Sequence, residues 1–238
     1  EDTRQTIKIM NKFDIKNDLF SFNKHNSFNK IPKLINDLKS GKSIALVSDA
    51  GMPSICDPGE DLVRRAKSSG IEVICITGPC AAISALVSSG MPSSSFIFEG
   101  FLPRKKKERE EILFEISNNH KTTILFESPN RLFKLLEELR TFCGGSREIQ
   151  VSREMTKKFE ENIYCSIDDG INYFSKKEIL GEITLVIKGV NKKQFVFNKV
   201  LIKKELHALI DAGLSLSAAS KYLAKKNNLT KNMVYNLN

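Results

Sequence analysis

The sequence has few of the residues that build metal centres, disulfide frameworks or membrane spans. It contains five cysteines, an odd number with no C-x-x-C pair, and only three histidines. These counts argue against a zinc site, or any other metal, and they favour a reducing cytoplasm. No uninterrupted apolar run approaches the length needed to cross a membrane, and the first residues do not read as a signal peptide.

Two phosphate-binding signatures are missing as well. The chain has neither the Gly-Lys-Ser/Thr of a P-loop nor a G-x-G-x-x-G stretch. What it does have is 238 residues with 41% hydrophobic content, which is enough for one large or two modest cores.

The net charge of +9 is unevenly distributed along the chain. Residues 188–238 contain ten lysines against only two carboxylates, so the preceding 187 residues are nearly neutral. A neutral body with a basic tail suggests a polyanionic partner, most often a nucleic acid. A solvated lysine-rich tail without a partner explains the same charge equally well.

Two consecutive strand–loop–helix units are predicted in the first half of the chain. Residues 44–47 and 71–76 have the length and β-branched content of buried strands. Asp57 is expected to cap the helix after the first strand, with Pro58 at its first position, and Gly90 to end the second helix. This alternation predicts a parallel sheet with both loops at one edge, where such sheets bind ligands.

The fold class predicted for the whole chain is α/β. Residues 1–103 and 104–190 are expected to form two domains, divided at a proline that a run of positive charge follows. Residues 196–238 are expected to form three short helices, two of them capped by Ser217 and Thr230, as in a helix-turn-helix unit. A small helical tail that packs on the rest of the chain fits this pattern too.

The loops after the two predicted strands are the first candidates for a binding site. Glycine in residues 49–53 lets the backbone approach a ligand, and the Asp49 carboxylate can accept from an amine or a ribose hydroxyl. Small residues in 78–82 leave room for a ligand at a helix N-terminus. Ordinary turns and close helix–sheet packing need the same residues, so neither loop is specific by itself.

Charged residues at predicted strand ends are the second group of candidates. They are either structural ion pairs or site residues, and they comprise Glu99, Glu127, Arg131, Arg153 and Glu154.

A set of longer stretches gives a resemblance to a known family. In chain order these are Glu1-Asp-Thr-Arg4, Val47-Ser-Asp-Ala-Gly-Met-Pro53, Asp57-Pro-Gly59, Gly78-Pro-Cys-Ala-Ala-Ile83, Glu99-Gly-Phe-Leu-Pro103, Phe126-Glu-Ser128 with Arg131, Arg153-Glu-Met-Thr-Lys157 with Glu160, and Gly181-Glu182. Together they are specific, and they extend over essentially the whole chain. The chain resembles the ribosomal RNA methyltransferases of the tetrapyrrole-methylase-like superfamily.

The resemblance implies an enzyme that uses S-adenosylmethionine to methylate the ribose 2′-hydroxyl of a cytidine. The implied substrate is the decoding region of 16S ribosomal RNA in the small ribosomal subunit. The resemblance also implies two α/β domains of the tetrapyrrole methylase type around the cofactor, a helical tail and a homodimer. The cofactor-binding residues that it implies are Asp49, Ala50, Gly51, Met52, Pro53, Gly78, Pro79, Cys80, Ala81, Ala82, Phe126, Glu127 and Thr184.

The chemistry of this transfer suggests roles for the charged candidates. An in-line displacement depends on orienting the donor and the acceptor, while a carboxylate helps the hydroxyl proton leave and a cation stabilises the developing oxyanion. We expect Glu99 or Glu154 to accept the proton and Arg153 to be the stabilising cation. The residues expected to bind RNA phosphates are Arg104, Lys105, Lys106, Lys107, Lys221, Lys225 and Lys226.

Two features depart from the family pattern. Met52 stands where the family usually has threonine, which changes the polarity of the first loop. The family also has a strand and a Pro/Gly-containing loop before the Glu1-Asp-Thr-Arg4 match, and this strand of the first domain is missing from the present sequence. We therefore expect an incomplete first sheet and impaired cofactor binding.

Two other functions stay open at this point. A relative that methylates a tetrapyrrole or another small molecule would share the fold, although such an acceptor gives no reason for a basic tail. A non-catalytic RNA-binding or ribosome assembly factor would keep the fold and the tail without the transfer. Calorimetry with S-adenosylmethionine separates the last case, since a binding module would show RNA affinity and no cofactor heat.

Overall fold

The computed structural model of the chain describes residues 1–191, 199–226 and 229–237, without the side chains of 199–201. Two compact units are present, Glu1–Asn191 and Lys192–Asn238. The first unit contains one mixed sheet and seven described helices, and the second contains three described helices. The chain is therefore an α/β protein with a separate helical unit.

Four helices of the first unit precede its first strand, and the other three lie between strands in sequence. The helices are α1 (Thr3–Lys12), α2 (Ser27–Lys39), α3 (Glu60–Ser68), α4 (Ala81–Ser89), α5 (Lys106–Asn118), α6 (Pro129–Cys143) and α7 (Ile167–Phe174). The strands are β1 (Phe96–Phe101), β2 (Thr122–Glu127), β3 (Glu148–Arg153), β4 (Glu161–Ser166) and β5 (Ile183–Ile187). The apolar patterns of residues 96–102, 122–128, 148–153, 159–167 and 181–189 predict these five strands, and each prediction is confirmed.

The strand order of the sheet is β1-β2-β5-β3-β4. β1 and β2 are parallel, whereas β5 is antiparallel to both β2 and β3, and β4 is antiparallel to β3. β5, the last strand in sequence, therefore lies between two earlier ones. This arrangement places the ends of β2 and β3 on either side of the start of β5.

The two faces of the sheet bury different helices. One face carries the larger core, in which Leu125 and Leu185 pack with apolar residues of α5, α6 and α7. On the other face Ile124 and Val186 pack against Ala82 and its neighbours on α4. Side chains alternate between the faces along each strand, so a residue's position in the register fixes which helices it meets.

Residues 44–47 and 71–76 were expected to be paired strands, and this prediction is wrong. Neither stretch forms a ladder within the described residues. Ile44 and Ile71 do pack on the small core between α2 and α3, but Ile76 is 82% exposed. The apolar pattern therefore indicated neither burial nor pairing correctly, since Val47, Val73 and Ile74 are also exposed. A strand needs a hydrogen-bonded neighbour, which local sequence does not specify.

The predicted start of α3 is wrong as well. The helix begins at Glu60 with Gly59 as its N-cap, two residues beyond the predicted cap. Asp57 is instead hydrogen-bonded to Ser48, so its carboxyl does not cap the helix. The end of α4 agrees with the prediction, because Gly90 takes the left-handed conformation that terminates a helix (φ 63°).

The second unit contains α8 (Lys199–Asp211), α9 (Leu216–Lys226) and α10 (Lys231–Tyr235). Leu206, Ala219, Leu223 and Val234 form its own core. The predicted cap at Thr230 is confirmed by its side chain, which accepts from the Met233 amide at 3.3 Å.

The predicted cap at Ser217 lies instead at Ser215, whose hydroxyl oxygen accepts from the Ala218 amide at 3.2 Å. The first residues of the predicted tail, 196–198, lie outside the described residues.

The division of residues 1–190 into two α/β domains stays a prediction. β1 lies before the expected boundary and β2 after it, and the two strands pair in one sheet. Residues on both sides of the boundary thus contribute to one surface at the carboxyl ends of β1 and β2.

Candidate active site

The two candidate loops meet at the edge of the first unit. A Cβ placed on Gly51 would lie 3.7 Å from the carbonyl oxygen of Pro79, so the backbones are in contact distance. Gly51 has a φ of 70°, a conformation that other residues rarely adopt. The Ser48 hydroxyl, 3.2 Å from the carbonyl oxygens of both Ala50 and Gly51, holds the tight turn of the first loop.

The first loop is attached to neighbouring elements at both ends. The Asp49 Oδ1 accepts from the Asp2 amide at 2.7 Å, just before α1. At the other end Cys56 lies so close to β1 that a Cβ on Gly100 would be 2.7 Å from its Sγ. These contacts hold the loop over the end of β1.

The N-terminus of α4 faces this loop without a side-chain cap. Cys80 is the N-cap residue in an extended conformation, and no side chain of the described residues accepts from the first helical amides. Such amides are unsatisfied donors and carry the positive end of the helix dipole. Ala82 is buried against the sheet, so close packing explains part of the small-residue pattern in 78–82. Packing does not provide a hydrogen-bond partner for the first amides of α4, which stay available to a ligand.

An aromatic and polar wall stands beside α4. Phe126 of β2, Thr184 of β5 and Ser152 of β3 are in register across the sheet. The rings of Phe98 and Phe101 lie 5.0 and 5.7 Å from that of Phe126. Cys80 and Met155 pack on the same cluster, so the wall is apolar and lies next to the buried residues Thr184 and Ser152.

Glu127, one residue beyond Phe126, points to the opposite face of the sheet. Its side chain is fully buried, and its Oε1 accepts from Arg131 at 2.6 Å and from the Ser128 amide at 2.8 Å. Arg109 lies 3.7 Å from Oε2, which has no hydrogen bond in the described part of the chain. This carboxylate secures the start of α6, and we leave it out of the candidate cofactor wall.

The candidate cation is also on that opposite face. Arg153 is in register with Ile183 and through it with Glu127. Its Nε donates to Glu161 at 3.1 Å and its Nη1 to the Leu180 carbonyl at 3.1 Å. The structure therefore places Arg153 in a structural ion pair and not with Thr184.

Of the two candidate proton acceptors, Glu154 is already engaged. Its Oε1 accepts from the Glu182 amide and from Lys157, both at 2.9 Å. The amide bond is the main cause of a lowered pKa for Glu154, and Lys157 adds to it. A carboxylate held in this way is a weak base.

Glu99 is the freer of the two. It lies at a bulge of β1, where the register with β2 shifts between Phe98 and Gly100, and its side chain has no hydrogen bond or ion pair to any residue that the structure describes. Bulges are frequent next to active sites because they redirect a side chain. Glu99 thus lies near the carboxyl end of β1, next to Phe98 in sequence, with a carboxylate that is unpaired among the described residues.

Asp57 is a site residue that the sequence prediction assigned to a helix cap. It lies close enough to Asp49 for the two charges to interact, and burial is the main cause of its raised pKa, which the charge of Asp49 raises further and the hydrogen bond from Ser48 opposes. Two carboxyl groups at one loop suit a cationic ligand group. The only signal in the sequence was that both aspartates belong to the same loop.

The predicted RNA-binding residues are all exposed, but some are paired. Lys105 contacts Glu108 at 3.0 Å and Lys106 contacts Glu110 at 3.8 Å at the start of α5. In the second unit Lys226 contacts Glu205 at 3.0 Å. The remaining cations, for which the described residues give no carboxylate partner, are Arg104, Lys107, Lys221 and Lys225.

Comparison with known proteins assigns the chain to a family. The profile of the tetrapyrrole (corrin/porphyrin) methylases matches residues 9–169. A protein of Synechocystis named ribosomal RNA small subunit methyltransferase I is 39% identical over 100% of this chain and 85% of its own length. The Thermotoga maritima protein of the same name is 46% identical over 79% of this chain and 84% of its own length.

The chain belongs to the ribosomal RNA small subunit methyltransferase I family. The chain is also similar in fold to a solved methyltransferase. The methyltransferase CobJ superposes with a TM-score of 0.53 over 68% of this chain and 71% of its own, at 16% identity. At that identity the likeness concerns the fold alone.

The part of the chain that the structure describes contains neither a metal cluster nor a helix able to span a membrane. Among the described residues, no group of three or more histidine, cysteine or acidic side chains is arranged to hold a metal ion. Of the described helices, none has both the length and the hydropathy that crossing a membrane demands.

Proposed function

We propose that this chain transfers the methyl group of S-adenosylmethionine to the ribose 2′-hydroxyl of a cytidine in the decoding region of 16S ribosomal RNA. Support comes from its family, whose members at 39–46% identity are named for the small-subunit ribosomal RNA. The single observation that carries the proposal is the meeting of the Gly51 and Pro79 backbones in front of the uncapped N-terminus of α4.

The residues at this edge fit the donor's chemistry. S-adenosylmethionine supplies an activated methyl group on a sulfonium, along with an adenine ring, a ribose and an amino acid end. The amides of α4 and of residues 49–53 suit carboxylate and hydroxyl groups. Asp49 and Asp57 suit the ammonium group, and the wall of Phe126, Cys80 and Met155 suits the flat base.

The chain's own residues orient the acceptor and remove its proton. Glu99 is the proposed proton acceptor because it lies near the carboxyl end of β1 and its carboxylate is unpaired within the described ranges. Arg153 and Glu154, engaged with Glu161 and Glu182, are proposed to have structural roles. Holding the hydroxyl in line with the methyl group supplies much of the rate, and a positioned base contributes roughly 10²–10⁴-fold.

The test is mass spectrometry of unmodified 16S ribosomal RNA, free and in small subunits, after incubation with S-adenosylmethionine carrying a labelled methyl group. The expected product is one cytidine labelled on its 2′-oxygen in the decoding region. RNA binding without transfer would identify a non-catalytic binder and overturn the proposal, as would a label on a base.

The role of Glu99 is tested by Glu99→Gln, with Glu111→Gln as a control, because Glu111 is exposed on α5. The Glu99 variant is expected to lose about 10²–10⁴-fold in transfer rate with unchanged cofactor heat in calorimetry. Equal rates for the two variants would remove Glu99 from the mechanism.

A further inference from the structure

The helix α1 is largely exposed and carries positive charge along one side. None of its residues is buried, and the stretch Thr3–Lys12 contains no acidic residue. Arg4, Lys8 and Lys12 recur at intervals of four residues, so they lie on one side of the helix about 6 Å apart along its axis. We call these three residues the basic face of α1.

The lysines of the basic face are not neutralised. Lys8 donates to the Gln5 amide oxygen at 3.0 Å, and the Lys12 ammonium lies 5.8 Å from the centre of the Phe13 ring. Neither has a carboxylate partner in the part of the chain that the structure describes. Arg4 is paired with Asp2 at 2.6 Å but remains highly exposed. Two unpaired ammonium groups are therefore available to an anionic partner.

An open groove of about 720 Å³ runs along the neighbouring side of α1. Its apolar lining comes from Ile7, Met10, Ile15 and Leu19, and its polar lining from Asn11, Lys16, Asn17 and Asp18. An unpaired nucleobase needs this combination, because its face packs on apolar groups while its edge hydrogen-bonds to amides. The exposed ring of Phe13, 65% accessible, adds a surface for stacking.

The position of α1 connects this surface with the candidate active site. The Asp2 side chain caps the helix by accepting from the Arg4 amide at 2.9 Å, and the Asp2 amide donates to Asp49 of the first loop. The basic face thus begins at Arg4, whose partner Asp2 is hydrogen-bonded to Asp49 of the candidate cofactor loop. A strand of RNA lying along α1 would lead directly to that loop.

We infer that the basic face of α1 and the adjoining groove form a docking surface for a single-stranded segment of the RNA substrate. This inference rests on the proposed function for the identity of the RNA. The cations contact successive phosphates, which fix the position of the strand, and the groove takes one unstacked base. The surface shares no residue with the cationic stretch at residues 104–107 or with the second unit.

The test compares the double variant Lys8→Gln, Lys12→Gln with the control Lys67→Gln, Lys134→Gln. The control lysines are exposed on α3 and α6 and have no ion pair among the described residues, so both variants lose the same charge. Binding of transcribed 16S ribosomal RNA is measured by filter retention between 50 and 200 mM salt. Far-UV circular dichroism checks that all three proteins are folded.

The magnitude of the salt slope of the basic-face variant is expected to fall by about 1.4, since each phosphate contact on a single strand contributes about 0.7. Over the fourfold salt range measured, the affinity of wild type relative to the variant is then expected to change about sevenfold. The control variant is expected to keep the wild-type slope. Equal slopes for the two variants would overturn the inference.

The outcome is distinguishable from that of the proposed function. If the wild-type chain binds RNA through this face but transfers no methyl group, the proposed function fails and the docking surface stands. If the basic-face variant instead changes the oligomeric state in sedimentation and binds RNA like the control, α1 is a protein interface and the inference is wrong.

Discussion

The contact between Gly100 and Cys56 gives the sharpest prediction about how the first loop is held. Gly100 has a φ of 64°, and a Cβ at this position would lie 2.7 Å from the Cys56 Sγ. Gly100→Ala therefore meets two costs. The left-handed conformation costs an L-residue about 1–2 kcal/mol, and the forced displacement of Cys56 or β1 adds about 1–3 kcal/mol.

Gly90 provides a matched control for the conformational cost. Its φ is 63°, and a Cβ there would meet no described atom within 4 Å. Gly90→Ala is thus expected to cost only about 1–2 kcal/mol. The difference between the two variants in urea unfolding, at an unchanged m value, isolates the contact with Cys56.

A double-mutant cycle then identifies the partner. Cys56→Ala removes the sulfur, so Gly100→Ala in that background is expected to cost no more than Gly90→Ala. The coupling energy between positions 56 and 100 should be about 1–3 kcal/mol. If Gly100→Ala costs the same as Gly90→Ala, or if the cycle is additive within about 0.5 kcal/mol, the loop is not packed on β1 and the reasoning is refuted.

Three further predictions follow from charged groups. Glu127→Ala is expected to lower the free energy of unfolding by about 3–5 kcal/mol, because it leaves Arg131 without its buried partner; the exposed Glu137→Ala should cost less than about 0.5 kcal/mol, and equal costs would disprove the buried pair. Because folding lowers the pKa of Glu154, its carboxylate stabilises the folded chain at pH values above the ordinary glutamate pKa. This stabilisation is lost as the pH falls through the lower pKa of the folded chain. Glu154→Gln is therefore expected to be less stable than wild type at pH 7 and to approach it below about pH 4.3, whereas a pH-independent gap in urea unfolding would contradict this assignment. Lys221→Gln with Lys225→Gln should lower the salt slope of RNA binding by about 1–2, and an unchanged slope would exclude these residues from RNA contact.

Local signals in the sequence predicted the elements that depend on local chemistry. The helix end at Gly90 and the cap at Thr230 were found because a left-handed glycine and a threonine hydroxyl act within a few residues. The five strands were found because each has an apolar pattern of its own. Such features need no knowledge of distant parts of the chain.

Pairing and partners depend on the rest of the fold, and the sequence did not show them. Residues 71–76 look like a strand but have no ladder among the described elements, and β5 inserts between β2 and β3 although it is last in the chain. Asp57 fitted the pattern of a helix cap, yet Ser48 binds its carboxyl in the folded chain. The order of strands and the capture of one side chain by another are non-local choices.

The candidate site shows the same difference between features set by local sequence and features set by distant contacts. The two loops were placed at one edge from their positions after predicted strands, and the contact between Gly51 and Pro79 agrees with that placement. The roles of single charged residues were not predictable, because one step along β2 moves a side chain to the other face of the sheet. Phe126 and Glu127 are neighbours in sequence and lie on opposite faces.

Hydrogen–deuterium exchange with and without S-adenosylmethionine tests most directly whether the two loops and α4 hold the methyl donor. The amides of residues 49–52, 78 and 80–82 are expected to gain protection when the ligand is added, because they become its hydrogen-bond donors. Residues of α6 and of the second unit should exchange as before. Protection confined to other parts of the chain, or none at these two loops, would contradict the account.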